Sequence, residues 1–306
     1  MVIAVVGPTG VGKTALAEEL AVRLDGELIS ADSMQVYRGM DIGTAKPPAN
    51  ERRVPYHCID LVEPGVPFSA ALYQHHARRA IDDCHARTRV PVLCGGTGLY
   101  VRAALDPMEF PAGEAADDSG RRAIESLARE LGAEGLHALL ARTDPASAAL
   151  IHPNNTKRVV RALEMAEQGV SYARQHEGFS RRESIYDDAR ILGLDMDREP
   201  LYEHIRGRVD AMMAAGLLEE VERLLDSGLR EALTAAQAIG YKELVGAIDG
   251  DTTLDEAVAA IKLASTRYAK RQLTWFRADH RVRWLDVTGL SLEEQAEAAA
   301  DTLHSI

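Results

Sequence analysis

The chain has 306 residues, 46% hydrophobic and 27% charged, which is enough apolar material for one large α/β domain, or one such domain with a smaller insertion, to bury a full core. Its net charge of −12 excludes indiscriminate nucleic-acid binding, which needs clustered Lys and Arg, and no run approaches the roughly 18 apolar residues of a membrane span. Cys58, Cys84 and Cys94 form no Cys-x-x-Cys pair, so reduced cytoplasmic thiols are expected rather than disulfides or a zinc site.

In chain order, "VIAVVG" is an apolar, β-branched run ending in glycine, as a buried parallel strand requires. It starts too early, and is too short and uncharged, to serve as a secretory signal. "KTALAEELAVRLDG" follows with Leu16, Leu20 and Leu24 at helical spacing and Gly26 as a C-cap. "ELIS" predicts a second strand, with "ADSMQVY" as the loop leaving its end. The third strand, "VPVLCGG", runs into a glycine-rich loop and a helix through "GLYVRAAL". Strands alternating with helices predict an α/β fold with a parallel sheet and helices on both faces, its ligands at the carboxyl ends of the strands.

The texture changes near residue 111. "PAGEAADDSGRR" reads as a polar linker, followed by the helical stretches "RRAIESLARELG", "LHALLART" and "NTKRVVRALEMAEQG" and a second polar tract, "ARQHEGFSRRES". Residues 112–188 are therefore expected to form an all-helical insertion in a core made of 1–111 and 189–306. "ARILGLDM" returns to the sheet, "RVRWLDVT" is a late edge strand, and helices fill most of the rest. Residues 262–283 hold seven Lys or Arg against one acid, Asp279, so this segment carries +6 and the remainder about −18. Such a strip is a candidate docking surface for an anionic partner or, equally, a solvated helix face.

"GPTGVGKT" fits G-x-x-x-x-G-K-[ST] at every position. Gly7, Pro8, Thr9, Gly10, Val11, Gly12, Lys13 and Thr14 would wrap backbone N–H groups around a phosphate chain at a helix N-terminus. Lys13 adds a charge and Thr14 a hydroxyl for Mg²⁺. The pattern makes the sheet a P-loop NTPase-like one without naming the phosphate compound. The strand "VPVLCGG" lacks the terminal acid common in P-loop hydrolases, whereas Asp32, in "SADSMQ", would leave the second strand opposite the phosphate loop. There a carboxylate can orient or deprotonate a nucleophile. Thr97, in "GGTGLY", supplies a hydroxyl at the same rim, or a tight turn that needs small residues.

In this order, "GPTGVGKT", "SADSMQVYRGMDIGTAKP", "PYHCIDLVEP", "GGTGLYVRA", "HPNNTKRVVRALE", "QAIGYKEL" and "TRYAKRQLTWFR" closely resemble the tRNA dimethylallyltransferase family, over about residues 2–284. The resemblance implies that the loop holds the pyrophosphate of dimethylallyl diphosphate, with Mg²⁺ and without consuming ATP. The N6 amine of the adenosine just 3′ of the anticodon would attack the allylic carbon. Asp32 would then receive the N6 hydrogen bond or proton, while Lys13, Thr9 and Thr14 stabilise the departing pyrophosphate.

It further implies that Asp32, Ser33, Met34, Gln35 and Thr97 meet the flipped target base, and that Arg121 (or Arg122), Lys157, Arg158 and Arg161 grip the anticodon stem-loop of the tRNA. Lys46 is an open candidate for the pyrophosphate, and Gln237 and Lys242 stand where some members carry arginines. A cytoplasmic monomer without membrane attachment is the default expectation. A small-molecule kinase with the same loop explains residues 1–30 equally well but gives no role to "KRVVRALE" or the basic segment. A third class, a P-loop RNA-binding module without chemistry, would make Asp32 and Thr97 dispensable.

Overall fold

The computed structural model describes residues 1–110 and 118–304. The first strand, β1 (Val2–Val6), is wholly buried and leads through the glycine loop into α1 (Lys13–Arg23), which buries Leu16, Ala17, Leu20 and Ala21. After β2 (Gly26–Ser30) comes β3 (Tyr56–His57), only two residues long. Helix α2 (Ala70–Ala86) is capped by the Ser69 hydroxyl, which accepts the Leu72 N–H, and precedes β4 (Val90–Gly95) and α3 (Gly98–Leu105). Next come α4 (Asp118–Thr143), α5 (Pro145–Leu150), α6 (Thr156–Glu167) and α7 (Tyr172–Ser180). The chain then forms β5 (Ala189–Asp195), α8 (Arg198–Ala214), α9 (Leu217–Asp226), α10 (Tyr241–Ile248), α11 (Leu254–Arg277), β6 (Val282–Asp286) and α12 (Leu292–His304).

The strands form one parallel sheet in the order β3-β2-β4-β1-β5-β6. Central β1 lies between β4 and β5, which is why it reads as a continuous apolar run rather than an alternating one. On one face Ile3, Val5, Leu28, Val92 and Leu192 pack with Leu16 and Leu20 of α1, Ile205 of α8 and Ala296, Ala299 and Leu303 of α12. The opposite face takes α2, whose Cys84 and following Arg87 meet Glu27, the neighbour of Leu28 on β2. Because all strands run the same way, Gly7, Ala31 and Gly96 come out together at their carboxyl ends. No helix among the described residues is long and apolar enough to cross a membrane.

The chain divides into two compact units, residues 1–105 with 184–306, and residues 106–183. The sequence boundaries of 112 and 188 fall later on both sides. The core closes on itself where the insertion leaves: α3 ends at Leu105, and Ile185 donates its N–H to the Leu105 carbonyl at 2.7 Å. Residues 111–117 of the expected linker lie outside the described residues. Within the smaller unit Ile124, Leu136, Leu140, Ile151, Val159, Val160 and Leu163 form a separate core. Asn155 caps α6 through the Arg158 N–H, and α4 breaks at Gly132 (φ 67°) between its two apolar stretches.

Several elements depart from the sequence expectations. "VPVLCGG" is the fourth strand, because two-residue β3 is too short to show any period. Helix α7 forms inside the tract read as polar, and α2 and α12 carry no sequence motif.

Candidate active site

The phosphate loop keeps its shape through glycines at positive φ: Gly7 at 143°, Gly10 at 85° and Gly12 at 94°. A Cβ on Gly7 would stand 2.7 Å from the Leu194 carbonyl oxygen, and one on Gly10 2.8 Å from the Ile205 side chain, so the loop is pressed onto β5 and α8. Helix α1 starts with no side-chain cap, which leaves its first N–H groups directed at whatever occupies the loop. Lys13 Nζ donates to the Pro8 carbonyl at 2.6 Å. Desolvation, reinforced by the Arg208 guanidinium and opposed by Cys94 and Asp32, brings its ammonium down to about 8.

Opposite this loop, the segment after β2 is stitched to the segment after β4. Thr97 N–H donates to the Ala31 carbonyl at 3.1 Å, Ser33 N–H donates to Thr97 Oγ1 at 3.1 Å, and Thr97 Oγ1 donates to Ser33 Oγ at 3.3 Å. Asp32 Oδ1 accepts the Met34 N–H at 2.9 Å and lines the cavity beside Lys13 and Arg208. Gln35 accepts from Ser30 Oγ at 2.7 Å and donates to the Thr44 carbonyl at 3.2 Å, so its amide braces the loop. Among the expected residues, Gly7 to Thr14, Asp32 to Gln35 and Thr97 are thus brought together.

Two cavities meet here. The smaller, about 80 Å³, is polar and lined by Thr9, Lys13, Thr14, Asp32, Arg208 and Gln272. The larger, about 330 Å³, has Met34, Ile205, Met212, Leu217, Ile261 and Tyr268 in its wall. Asp32, Thr9, Arg208 and Tyr268 border both.

Three of these residues escaped the sequence reading. Arg208, on α8, donates to Thr9 Oγ1 at 3.4 Å, and its pKa is lowered by burial and held up by Asp32. Tyr268, on α11, is pushed up to about 12 by burial and by Asp32, with Thr97 and Gln272 at its hydroxyl. Gln272, also on α11, is buried among Ile261, Ala269 and Phe276. A glutamine in that apolar stripe is the sequence signal that could have marked it.

Lys46, the open candidate for the pyrophosphate, is engaged elsewhere. Its buried ammonium lies 2.6 Å from Asp41, 2.6 Å from Asp60 and 2.9 Å from the Tyr37 carbonyl, and so is fully used in holding the loop. His57 and Cys84 do meet Glu27 in a group with ligand chemistry. The Arg87 guanidinium already spans both Glu27 oxygens, at 2.5 and 2.9 Å, and supplies the charge a cation would bring.

In the inserted unit Lys157 and Arg158 are exposed on α6, while Arg161 and Arg121 lie 3.3 and 3.7 Å from the buried carboxylate of Glu164. Within the basic segment Lys262 pairs with Asp210 and Arg277 with Asp195, both at 2.6 Å. Arg267, Lys270 and Arg271 stand exposed on α11.

A phosphate loop at the head of a parallel sheet, opening through one carboxylate onto a partly apolar cavity, defines a P-loop α/β protein. Family models agree: one described as IPP transferase matches residues 35–279, and one described as isopentenyl transferase matches residues 1–57. The chain is 50% identical over 289 residues to the tRNA dimethylallyltransferase of Geobacillus kaustophilus, covering 94% of this chain and 90% of that one. With that of Bacillus subtilis it shares 49% over 288 residues, 94% of this chain and 91% of the relative.

Among solved structures, the tRNA isopentenylpyrophosphate transferase of Bacillus halodurans superposes with a TM-score of 0.71 at 44% identity, covering 99% of this chain and 97% of that one. A eukaryotic dimethylallyltransferase acting on tRNA gives 0.83 at 29% identity, with 98% and 77% covered. The chain belongs to the IPP transferase family, the tRNA dimethylallyltransferases.

Proposed function

We propose that this protein transfers the dimethylallyl group of dimethylallyl diphosphate to N6 of the adenosine 3′-adjacent to the anticodon in tRNA, releasing pyrophosphate. The observation that carries this reading is the junction at Asp32 of a small polar cavity on the phosphate loop with a larger, partly apolar one. A diphosphate fits the first, and a five-carbon allyl group with an unstacked base fits the second. The relatives' names and the family models support the same donor and acceptor.

In this reading the C–O bond of the allylic diphosphate breaks as the N6–carbon bond forms. Asp32 holds the amine by its N–H and takes the proton it sheds, which aligns a weak nucleophile at the reacting carbon. Lys13, Arg208 and the uncapped N–H groups of α1 receive the negative charge that builds on the leaving pyrophosphate. Thr97 and Ser33 keep the Asp32 loop in register with the segment leaving β4. The oxygen donors Thr14 and Asp32 suit Mg²⁺, a hard cation that binds through few protein oxygens and keeps several waters. Thr14 would hold it, and the ion when bound offsets diphosphate charge.

Arg121, Lys157, Arg158 and Arg161 on the inserted unit are assigned to the anticodon stem-loop, with Asp32, Ser33, Met34, Gln35 and Thr97 around the target base. On the core unit, exposed Arg267, Lys270 and Arg271 of α11 offer further cationic contacts to an RNA backbone. Three buried free thiols support a reducing compartment, the cytoplasm, and a monomer suffices for the chemistry.

The test is incubation with unmodified tRNA, Mg²⁺ and radiolabelled dimethylallyl diphosphate, with and without ATP, for wild type and Asp32→Asn. Label should enter RNA without ATP, and the variant should lose about 10²-fold to 10⁴-fold in rate, the range of a general base. Phosphate transfer from ATP to a small molecule, with no labelled RNA, would establish the kinase alternative instead.

A further inference from the structure

Gln272 ties two loops of the site together from α11. Its Oε1 accepts the Thr9 N–H at 2.8 Å, and its Nε2 donates to the Gly96 carbonyl at 3.0 Å. The side chain is 5% exposed. The contact is tight enough to dictate a neighbour: a Cβ on Gly96 would fall on the Gln272 amide, as one on Gly98 would fall on the Trp275 indole of the same helix. An amide at this depth with both ends bonded is expensive to detach, since each group left unpaired keeps its full desolvation cost.

The position of the Thr9 N–H gives this bond a consequence for ligand choice. In a loop of this pattern the amides nearest the helix, those of Gly12, Lys13 and Thr14, gather around the phosphate seated at the helix N-terminus. Thr9 lies on the opposite, entering limb of the loop, and that is where a longer phosphate chain would extend. There Gln272 has already taken the amide, and Arg208 has taken the Thr9 hydroxyl at 3.4 Å. The cavity left between these residues and α1 measures about 80 Å³.

We infer that Gln272 is a specificity-determining residue that sets the length of the phosphate chain: by occupying the Thr9 N–H it makes the loop a diphosphate site and excludes the third phosphate of a nucleoside triphosphate. This rests on the diphosphate reading above and deepens it. A triphosphate would have to displace the Gln272 amide, leaving it and the Gly96 carbonyl unpaired in the protein. A diphosphate leaves both bonds in place. The discrimination comes from a helix 263 residues away in sequence, and not from the phosphate loop itself.

Inorganic pyrophosphate and tripolyphosphate, each with Mg²⁺, test this by calorimetric titration of wild type, Gln272→Met and Gln272→Glu. Methionine fills the same space without an acceptor for the Thr9 N–H, so the affinity ratio should shift about tenfold toward tripolyphosphate, the worth of one or two hydrogen bonds. Glutamate keeps an acceptor on Thr9, and its ratio should stay on the pyrophosphate side with wild type. An unchanged ratio in Gln272→Met that still binds pyrophosphate overturns the inference, as does a Gln272→Glu ratio that moves with methionine. Should Gln272→Met not fold, Gln272→Ser removes the same acceptor and is read against the same ratio. If wild type binds neither ion and transfers no label from dimethylallyl diphosphate, the diphosphate reading itself has failed. Transfer with an unaltered ratio in the variants sinks only the role of Gln272.

Discussion

Tyr241 donates its hydroxyl to Glu220 at 2.6 Å, and the same buried carboxylate accepts the N–H groups of Asp41 (3.1 Å), Ile42 (2.8 Å) and Gly43 (3.1 Å). One side chain from α9 therefore closes the turn that carries Gly43 and Thr44 to the wall of the larger cavity. Tyr241 lies so near that a Cβ on Gly43 would come within 2.5 Å of its ring.

Glu220→Ala should cost about 3–5 kcal/mol, because four donors lose their acceptor in a buried place. Tyr241→Phe removes one donor and leaves the carboxylate three others, so about 1 kcal/mol is expected. Denaturant unfolding of both variants checks the difference. Equal losses would show that the tyrosine hydroxyl's bond, and not the three amide bonds of the turn, carries the contribution of the carboxylate.

Lys13 gives the diphosphate affinity its pH dependence. With its pKa brought down to about 8, the side chain is cationic below that pH and neutral above it in the free enzyme. Binding a polyanion needs the ammonium, so above pH 8 each unit must be met by proton uptake and should weaken binding up to tenfold. Below pH 8 this group adds no further dependence. Dissociation constants for dimethylallyl diphosphate between pH 7 and 9.5 decide the matter, and a flat profile through 9.5 would contradict the lowered pKa.

Gly95 is required for space. A Cβ there would lie 2.2 Å from the Ala31 carbonyl oxygen and 2.8 Å from its Cα, all backbone where β2 and β4 come together. Gly95→Ala should therefore destabilise by about 3 kcal/mol and separate Asp32 from Thr97, with activity falling alongside. Gly12→Ala meets nothing within 4 Å and should cost about 1–2 kcal/mol from its positive φ alone. Thermal unfolding of the pair measures the contrast.

The thiols should be silent in the native protein. Burial raises Cys58 and Cys84 to about 12 and Cys94 to about 11, so almost no thiolate exists at pH 8. Titration with a thiol reagent should show negligible reaction over minutes and three equivalents once the chain is unfolded in guanidinium. Rapid native labelling of Cys94 would mean that the diphosphate cavity opens more widely than its walls indicate.

The elements most legible from sequence were those whose cause is local. The phosphate loop could be read because its positive-φ glycines, its lysine and its helix start lie within eight consecutive residues, and β1 and β4 because strands buried on both faces are apolar nearly throughout. Asp32 could be read because it leaves a strand end. Elements without a local signature stayed hidden: β3 is shorter than a period, and α7 is built from residues that read as a polar tract.

By itself, then, the sequence determined a phosphate-binding α/β core, a helical insertion, a carboxylate facing the loop and the family whose ordered motifs the chain carries. Only the tertiary structure decided how those motifs are used. Lys46 was buried and paired with Asp41 and Asp60, Glu220 was brought to a turn 177 residues earlier, and Gln272 was set on a phosphate loop 263 residues away. The physical reason is that hydrogen-bond partners of a buried polar group are chosen by what folding places within about 3 Å, a distance on which spacing along the chain has no bearing.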